Sequence, residues 1–200
     1  VCPEFYAATP PSECLRIMLI KAASGRSQGV SVMYADVSRA YFYAKAVRPV
    51  YVKLPDEDMA KGDECRCGKL IRSMYSTRDA ALNWALEYCD TLQAAGYVQR
   101  KANPCLFYHA ELNVSVMVHG DDFVAVGPDQ HLDIIKTTPS DNYKIKIEQL
   151  GYGGDNKLEI RIINKVVRIT DTGIEVEADP RHAELVISEL GLNSARPSFV

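Results

Sequence analysis

The sequence predicts an α+β fold in which helices back an antiparallel sheet. Two apolar runs, Cys105–Tyr108 and Val114–Val118, are joined by a short polar link, which is the pattern of a β-hairpin. Apolar residues recur at helical spacing in two other segments, one near the N-terminus and one in the middle of the chain. The last third carries alternating polar and apolar residues, which is typical of small antiparallel strands with one face in water.

The N-terminal part is predicted to contain a helix and two strands. The helix begins after two prolines, and Ser12 can cap it. A strand then runs from Val30 to Asp36, and a second strand candidate is Val50–Leu54. Residues 55–68 are polar and rich in turn formers, so we predict a loop there.

The middle of the chain is predicted to hold a second helix and the hairpin. The helix runs from about Asp79 to Ala95, and Gly96 is a natural stop. The second hairpin strand leads into an acidic turn, after which Phe123–Gly127 forms a further strand. A short helix then opens at Pro128–Asp129 and is expected to continue through Ile135.

A change of composition near Asp141 predicts a subdomain boundary. We therefore expect two units, residues 1–140 and residues 141–200, the second being a small, mostly β extension. Its strand candidates are residues 144–147, 157–162, 166–169 and 174–177. Asp179 and Pro180 are expected to cap a last helix that ends at Gly191.

Composition narrows the class of protein. The chain has 200 residues and 47% hydrophobic residues, enough to bury a sizeable core. No run of about 18 apolar residues occurs, and the N-terminus has no initiator Met and no signal-peptide pattern. The six cysteines lack the spacing of a zinc site, which favours reduced cysteines in an intracellular protein. The net charge of −3 weakly opposes nucleic-acid binding.

The candidate chemistry lies in an acidic pair between two apolar strands, Asp121 and Asp122. Adjacent carboxylates repel, so at least one pKa rises unless a cation is present, and Mg²⁺ prefers such hard oxygen ligands. Asp36, at the end of another strand, could complete a two-metal site. The pair alone is more typical of a solvated hairpin turn than of a catalytic site, with Gly120 supplying the turn geometry.

Six sequence blocks, in the right order, carry a resemblance to the reverse transcriptases of copia-type retrotransposons. They are residues 8–19, 36–42 (DVSRAYF), 50–55 (VYVKLP), 69–84 (KLIRSMYSTRDAALNW), 102–107 (ANPCLF) and 118–122 (VHGDD). No single block is decisive, but the ordered set is highly specific. The resemblance implies a palm-like antiparallel sheet, with fingers and palm in residues 1–140 and a thumb- or connection-like segment after them.

The resemblance also implies a role for each residue that matches a family motif. Asp36 and Asp121 correspond to ligands of two Mg²⁺ ions, and Asp122 to the third catalytic and metal-binding carboxylate. The remaining assignments are Arg39 and Ala40 (backbone N–H groups toward the triphosphate), Tyr41 (steric gate against a 2′-hydroxyl), Arg78 and Asp79 (nucleotide-binding) and His119 and Gly120 (primer-proximal). The partners implied are an RNA or DNA template with its primer, deoxynucleoside triphosphates, and the RNase H and integrase regions of a parent polyprotein.

The match to the family is imperfect in several places. His119–Gly120 replaces the usual Tyr-x before the acidic pair, and Asp79 replaces a Gln, so that Arg78 is expected to compensate the extra charge. Ser76 stands where the family has Gly. We expect the basic residues of the fingers to lie upstream of Val1, and the fragment alone to be inactive. The expected location is intracellular, in a cytoplasmic particle or the nucleus.

Three alternatives remain open from the sequence. The chain could be a decayed remnant without activity, which the missing fingers segment and His119–Gly120 favour. It could be a non-enzymatic interaction domain, in which case Asp36 lies far from Asp121. A metal-dependent nuclease could use the same carboxylates, although it needs a further ligand or a general base.

Overall fold

A computed structural model describes residues 7–62, 65–132, 144–154 and 156–192. It has three helices with defined bounds, α1 (Ser12–Ser24), α2 (Ala80–Ala94) and α3 (Arg181–Glu189). Among the described residues, no helix is both long and apolar enough to cross a membrane.

Most of the strands form one antiparallel sheet of six strands in the order β4-β5-β6-β7-β1-β8. Two smaller antiparallel sheets have the orders β2-β3 and β11-β10-β9. The strands are β1 (Val30–Val37), β2 (Tyr51–Lys53), β3 (Cys67–Lys69), β4 (Val98–Gln99), β5 (Leu106–His109), β6 (Val114–His119), β7 (Asp122–Pro128), β8 (Ile145–Leu150), β9 (Glu159–Ile162), β10 (Lys165–Thr170) and β11 (Gly173–Ala178). The α+β class with an antiparallel sheet is thus confirmed.

The six-stranded sheet is covered on both faces, which explains why β1 and β7 are apolar along most of their length. On β1, Met33 and Val37 belong to the core cluster that contains Trp84 of α2. The alternate residues Val30 and Val32 belong to the other cluster, which contains the apolar residues of α1 and of β9 and β10. Because side chains alternate between the two faces of a strand, one short segment supplies both layers.

Several local predictions need correction. Ser12 does not cap α1, because it is the first helical residue, Pro11 is the N-cap and no side chain caps the helix. The predicted loop at residues 55–68 contains the start of β3. Gly96 stops α2 as predicted and adopts a left-handed φ of 89°. The helix predicted from Pro128 begins at residue 129, and its predicted end at Ile135 lies outside the described residues.

The predicted division at residue 141 remains a prediction, although β8 bears on it. Residues Ile145–Leu150 pair antiparallel with β1 and therefore complete the large sheet. The three-stranded sheet begins only at Glu159. At the last helix, Pro180 is the N-cap, and the helix ends at Glu189, two residues before the predicted end. The Asp179 carboxylate, one residue before the N-cap, accepts a hydrogen bond from the backbone N–H of Arg181 (3.1 Å).

A stability prediction follows from Ser76, whose φ is 69°. An L-residue other than Gly pays roughly 1 kcal/mol in this left-handed region. Ser76→Gly should therefore raise the free energy of unfolding by up to about 1 kcal/mol, measured by denaturant unfolding. Ser27→Gly, at an exposed position without positive φ, is the matched control and should be neutral or destabilising. Equal loss of stability in both variants would contradict the strain at Ser76.

Candidate active site

Antiparallel pairing of β1 with β7 brings the predicted acidic residues together. Asp36 lies directly opposite Asp122 in the register, where Cα atoms are about 4.5–5.5 Å apart. Directly opposed residues point to the same face of a sheet, so these two carboxylates share one face. Asp121 lies in the turn, and its carbonyl accepts a hydrogen bond from the N–H of Val37 (3.0 Å). The predicted side-by-side placement of Asp36 and the acidic turn is observed.

The acidic turn is a two-residue loop between the paired residues His119 and Asp122. Gly120 takes the first loop position with a φ of 64°, which an L side chain rarely adopts. The Gly120 carbonyl accepts a hydrogen bond from the indole N–H of Trp84 (2.8 Å). The loop is therefore tied to α2 through residue 120 and to β1 through residue 121.

Tyr34 is a site residue that sequence reasoning missed. Its hydroxyl donates a hydrogen bond to Asp122 Oδ1 (2.5 Å). Burial, followed by this contact with the Asp122 carboxylate, raises the pKa of the tyrosine. The available signal was the period of two along a strand, since Tyr34 lies two residues before Asp36 and therefore on the same face.

The surroundings of Asp122 disfavour the ionised form of its carboxyl. Its carboxyl is partly buried, and burial raises its pKa; the neighbouring charges of Asp121 and Asp36 raise it further. The hydrogen bond from Tyr34 and the ring of His119 act in the opposite direction without cancelling the rise. The ionised form is therefore costly here, and a nearby cation would favour it.

The donor chemistry of the site suits a hard divalent cation. Asp36 and Asp122 offer carboxylate oxygens from adjacent strands, with Asp121 on the loop next to them. Oxygen ligands of this kind are those that Mg²⁺ selects. In the part of the chain that the structure describes, however, no three His, Cys, Asp or Glu side chains converge closely enough to form a metal cluster. The oxygen ligands thus suit Mg²⁺ in their chemical type. One of them, Oδ1 of Asp122, accepts a hydrogen bond from Tyr34.

The residues expected around the nucleotide follow directly on β1. Arg39 has a left-handed backbone (φ 58°) and starts the 3₁₀ turn Ala40–Tyr43, in which Ala40 is buried. Tyr41 is half-buried against the core and stacks on Tyr75, with ring centroids 4.4 Å apart. Burial, and then the charge of Asp121, raises the pKa of Tyr41.

Asp79 is compensated by a different residue from the one predicted. Arg48 forms the ion pair with Asp79 (3.1 Å), and Asn83 donates a second hydrogen bond to it (3.3 Å). Burial by itself raises the pKa of Asp79, but its own backbone N–H, Arg48 and Asn83 together lower it. Arg78, the expected partner, is exposed. Local sequence patterns could not identify Arg48 as the partner, because it lies 31 positions from Asp79.

A polar cleft lies beside Asp36, between the large sheet and the three-stranded sheet. Its lining includes Tyr34 and Asp36 from β1 and Lys146 and Glu148 from β8. The cleft also contains Lys157, which pairs with Glu148 (2.7 Å). The cations at this edge are therefore largely paired with neighbouring acids.

Residues 5–170 match the family described as Reverse transcriptase (RNA-dependent DNA polymerase), which covers most of the chain. One curated relative is the retrovirus-related Pol polyprotein from transposon TNT 1-94 of Nicotiana tabacum, 23% identical over 132 residues, which are 64% of this chain and 10% of that protein. Another is a cobyrinate a,c-diamide synthase of Methanococcus vannielii, 23% identical over 184 residues, which are 90% of this chain and 38% of that protein. The chain thus spans well under half the length of either relative.

Among solved structures, the chain is similar to telomerase from Candida albicans in complex with a fragment of telomeric RNA. The TM-score is 0.42 and the identity 11%, over 84% of this chain and 34% of that one, and at this score we draw no conclusion from it. The family match stands on its own, over the blocks that hold Asp36, Asp121 and Asp122. The chain belongs to the reverse transcriptase (RNA-dependent DNA polymerase) family, as a partial domain of the copia retrotransposon type.

Proposed function

We propose that this chain carries the catalytic palm of a reverse transcriptase, and that Asp36, Asp121 and Asp122 catalyse nucleotidyl transfer to a primer. The observation that supports this most directly is the register of β1 and β7, which sets Asp36 opposite Asp122 beside the Asp121 turn. Family motifs that are far apart in the sequence thus meet at the same end of two neighbouring strands, β1 and β7. A sheet with helices on both faces fits the palm assignment, and the three-stranded sheet fits a thumb or connection segment.

Asp36, Asp121 and Asp122 are the residues that would hold two Mg²⁺ ions. Such ions, when bound, activate a 3′-hydroxyl and neutralise a leaving pyrophosphate. The protein supplies the orientation of the carboxylates. Tyr34 fixes Asp122 by one hydrogen bond, and the β1–β7 ladder fixes the backbone positions of Asp36 and Asp122.

The turn after β1 is the proposed nucleotide site. The backbone N–H groups of Arg39 and Ala40 face the triphosphate, and the ring of Tyr41 lies under the sugar, where it excludes a 2′-hydroxyl. Tyr75 supports this position of Tyr41 by ring stacking. Arg78 supplies an exposed cation, while Asp79 is neutralised by Arg48 and repels a triphosphate less than a free carboxylate would.

The proposed primer end lies at the acidic turn, next to His119 and Gly120. The template and its primer, RNA or DNA, and deoxynucleoside triphosphates are the proposed substrates. RNase H and integrase regions of a parent polyprotein are the proposed neighbours, and the proposed location is intracellular, in a cytoplasmic particle or the nucleus.

The structure bears on one alternative, the non-enzymatic domain, and a sequence feature favours another, the decayed remnant. A non-enzymatic domain requires Asp36 to lie far from Asp121, and the observed register contradicts that requirement. A decayed remnant is favoured by one observation, the replacement of Tyr-x by His119–Gly120 next to the catalytic pair. Activity measurements separate the remnant from a working enzyme.

The first functional prediction concerns primer extension. With Mg²⁺, a primed RNA template and four deoxynucleotides, the complete parent polyprotein should extend the primer, and the 200-residue chain alone should not. Asp121→Asn in the parent should lower the rate by on the order of 100-fold or more, because a carboxylate that would hold the Mg²⁺ ions, and with them the positive charge that stabilises the transition state, is lost. Asp171→Asn, in the exposed β10–β11 turn, is the control and should keep full activity.

Two results of that assay would count against the proposal. Extension by the parent that is insensitive to Asp121→Asn would remove the catalytic assignment. A complete parent that never extends a primer would identify the decayed remnant instead.

A second prediction concerns sugar selection by Tyr41. In the active parent, Tyr41→Ala should raise the incorporation of ribonucleotides relative to deoxyribonucleotides, because the ring no longer blocks the 2′-hydroxyl. Tyr41→Phe keeps the ring and should keep the discrimination. Single-nucleotide incorporation kinetics measure the ratio, and an unchanged ratio in Tyr41→Ala removes the gate assignment.

A third prediction concerns the protonation of Asp122. The hydrogen bond from Tyr34 favours the ionised carboxylate, so Tyr34→Phe should raise the pKa of Asp122 further above its usual range. Carboxyl ¹³C chemical shifts followed across a pH titration give this value. Tyr108→Phe is the control. It removes a hydroxyl on β5 that donates a hydrogen bond to Asn113, and it should leave the pKa of Asp122 unchanged. A fall, or no shift, in Tyr34→Phe would show that Tyr34 does not stabilise the carboxylate.

A further inference from the structure

We infer that Trp84 is a positioning residue that fixes the acidic turn through its indole N–H, an inference whose catalytic meaning rests on the proposed function. Trp84 is 1% exposed and lies in the second turn of α2. Its N–H donates to the carbonyl of Gly120, the residue immediately before Asp121, over 2.8 Å. No role for this indole follows from the sequence block that contains it.

Trp84 contacts the residue before the acidic pair and the residue after it. The hydrogen bond reaches Gly120, and the indole ring packs edge-on against Phe123, with centroids 6.3 Å apart. Asp121 and Asp122 lie between these two points of contact. A helix that packs against the sheet thereby fixes the loop relative to the strands.

In the part of the chain that the structure describes, two hydrogen bonds connect the loop to neighbouring elements. Gly120 has no side chain, and a Cβ built there would meet no atom within 4 Å, so the loop is open on that side. The β6–β7 ladder holds its two ends. Within the loop, the Gly120 carbonyl is tied to Trp84, and the Asp121 carbonyl is tied to the N–H of Val37.

An ordinary core role for Trp84 must be separated from this one. A buried indole N–H usually finds some acceptor, and the ring also packs on Tyr88 in the same core cluster. A purely structural tryptophan predicts that any comparable loss of core packing has the same effect as losing the indole. A positioning tryptophan predicts an effect confined to the turn.

Three variants distinguish these roles. Trp84→Phe keeps an aromatic ring and removes the N–H donor. Replacement of Trp84 by β-(3-benzothienyl)alanine keeps the shape and exchanges the N–H for sulfur, so it tests the hydrogen bond if Trp84→Phe folds poorly. Phe107→Leu is the matched control, because Phe107 is equally buried in the same cluster and belongs to β5, away from the turn.

The first readout needs no activity and uses the 200-residue chain. Amide hydrogen exchange at Val37 reports on the turn, since this N–H donates to the Asp121 carbonyl. Loss of the Trp84 bond should speed exchange at Val37 by about fivefold, the effect of one ordinary hydrogen bond. Phe107→Leu should leave the rate at Val37 unchanged once both variants are compared at equal global stability.

The second readout is binding of Mn²⁺, used as a paramagnetic probe of the carboxylates. Both Trp84 variants should weaken Mn²⁺ binding by about fivefold relative to Phe107→Leu, because the carboxylates lose their fixed positions. In an active parent protein, the same variants should lower kcat and leave KM for the deoxynucleotide within about twofold.

The outcomes separate this inference from the proposed function. Faster exchange at Val37 and weaker Mn²⁺ binding in the Trp84 variants alone support the positioning role, even if the parent proves inactive. Equal effects of the Trp84 variants and Phe107→Leu on both readouts overturn it and leave a structural tryptophan. Insensitivity of extension to Asp121→Asn overturns the proposed function and leaves the anchoring result at Val37 standing.

Discussion

The antiparallel pairing of β1 with β7 is the constraint on which the site depends. Seven residue pairs connect these strands, from Val30 opposite Pro128 to Asp36 opposite Asp122. A slip of one residue would send one strand's apolar set to the wrong face and move its carboxylate away from the other. Because apolar side chains from both strands are buried on both faces, the register that forms the core is also the register that assembles the acids.

That constraint has an electrostatic cost. Packing fixes Asp122 in partly buried surroundings beside Asp36 and Asp121, and its pKa rises as a result. Hydrogen bonds to Asp122 and to the turn offset part of the cost and limit how the acidic residues can move. Tyr34 acts on the carboxylate itself, and Trp84 acts on the backbone of the loop. A fold that holds like charges together in this way is typical of a functional site.

Two of the three departures from the family pattern are compensated by neighbouring groups, and one is not. Asp79 stands in place of a family Gln, yet Arg48 and Asn83 satisfy its charge. Ser76 occupies a left-handed position that suits the family Gly better. His119 pairs with Asp122 in the β6–β7 ladder and favours its ionised form. These observations show how the chain accommodates the changes at Asp79 and His119, while Ser76 retains backbone strain.

Periodicity along the chain was enough to predict the type of most elements, and it identified α1, α2, β1 and the β5–β6 hairpin within a few residues. Motif order also pointed to Asp36 and the acidic pair. Packing in three dimensions sets the register that places Asp36 opposite Asp122 and the pairing of β8 with β1. It also selects the hydrogen-bond and ion-pair partners Tyr34, Arg48 and Trp84. Local patterns report which face of an element is buried, whereas a hydrogen bond between residues 31 or 88 positions apart depends on how the layers pack.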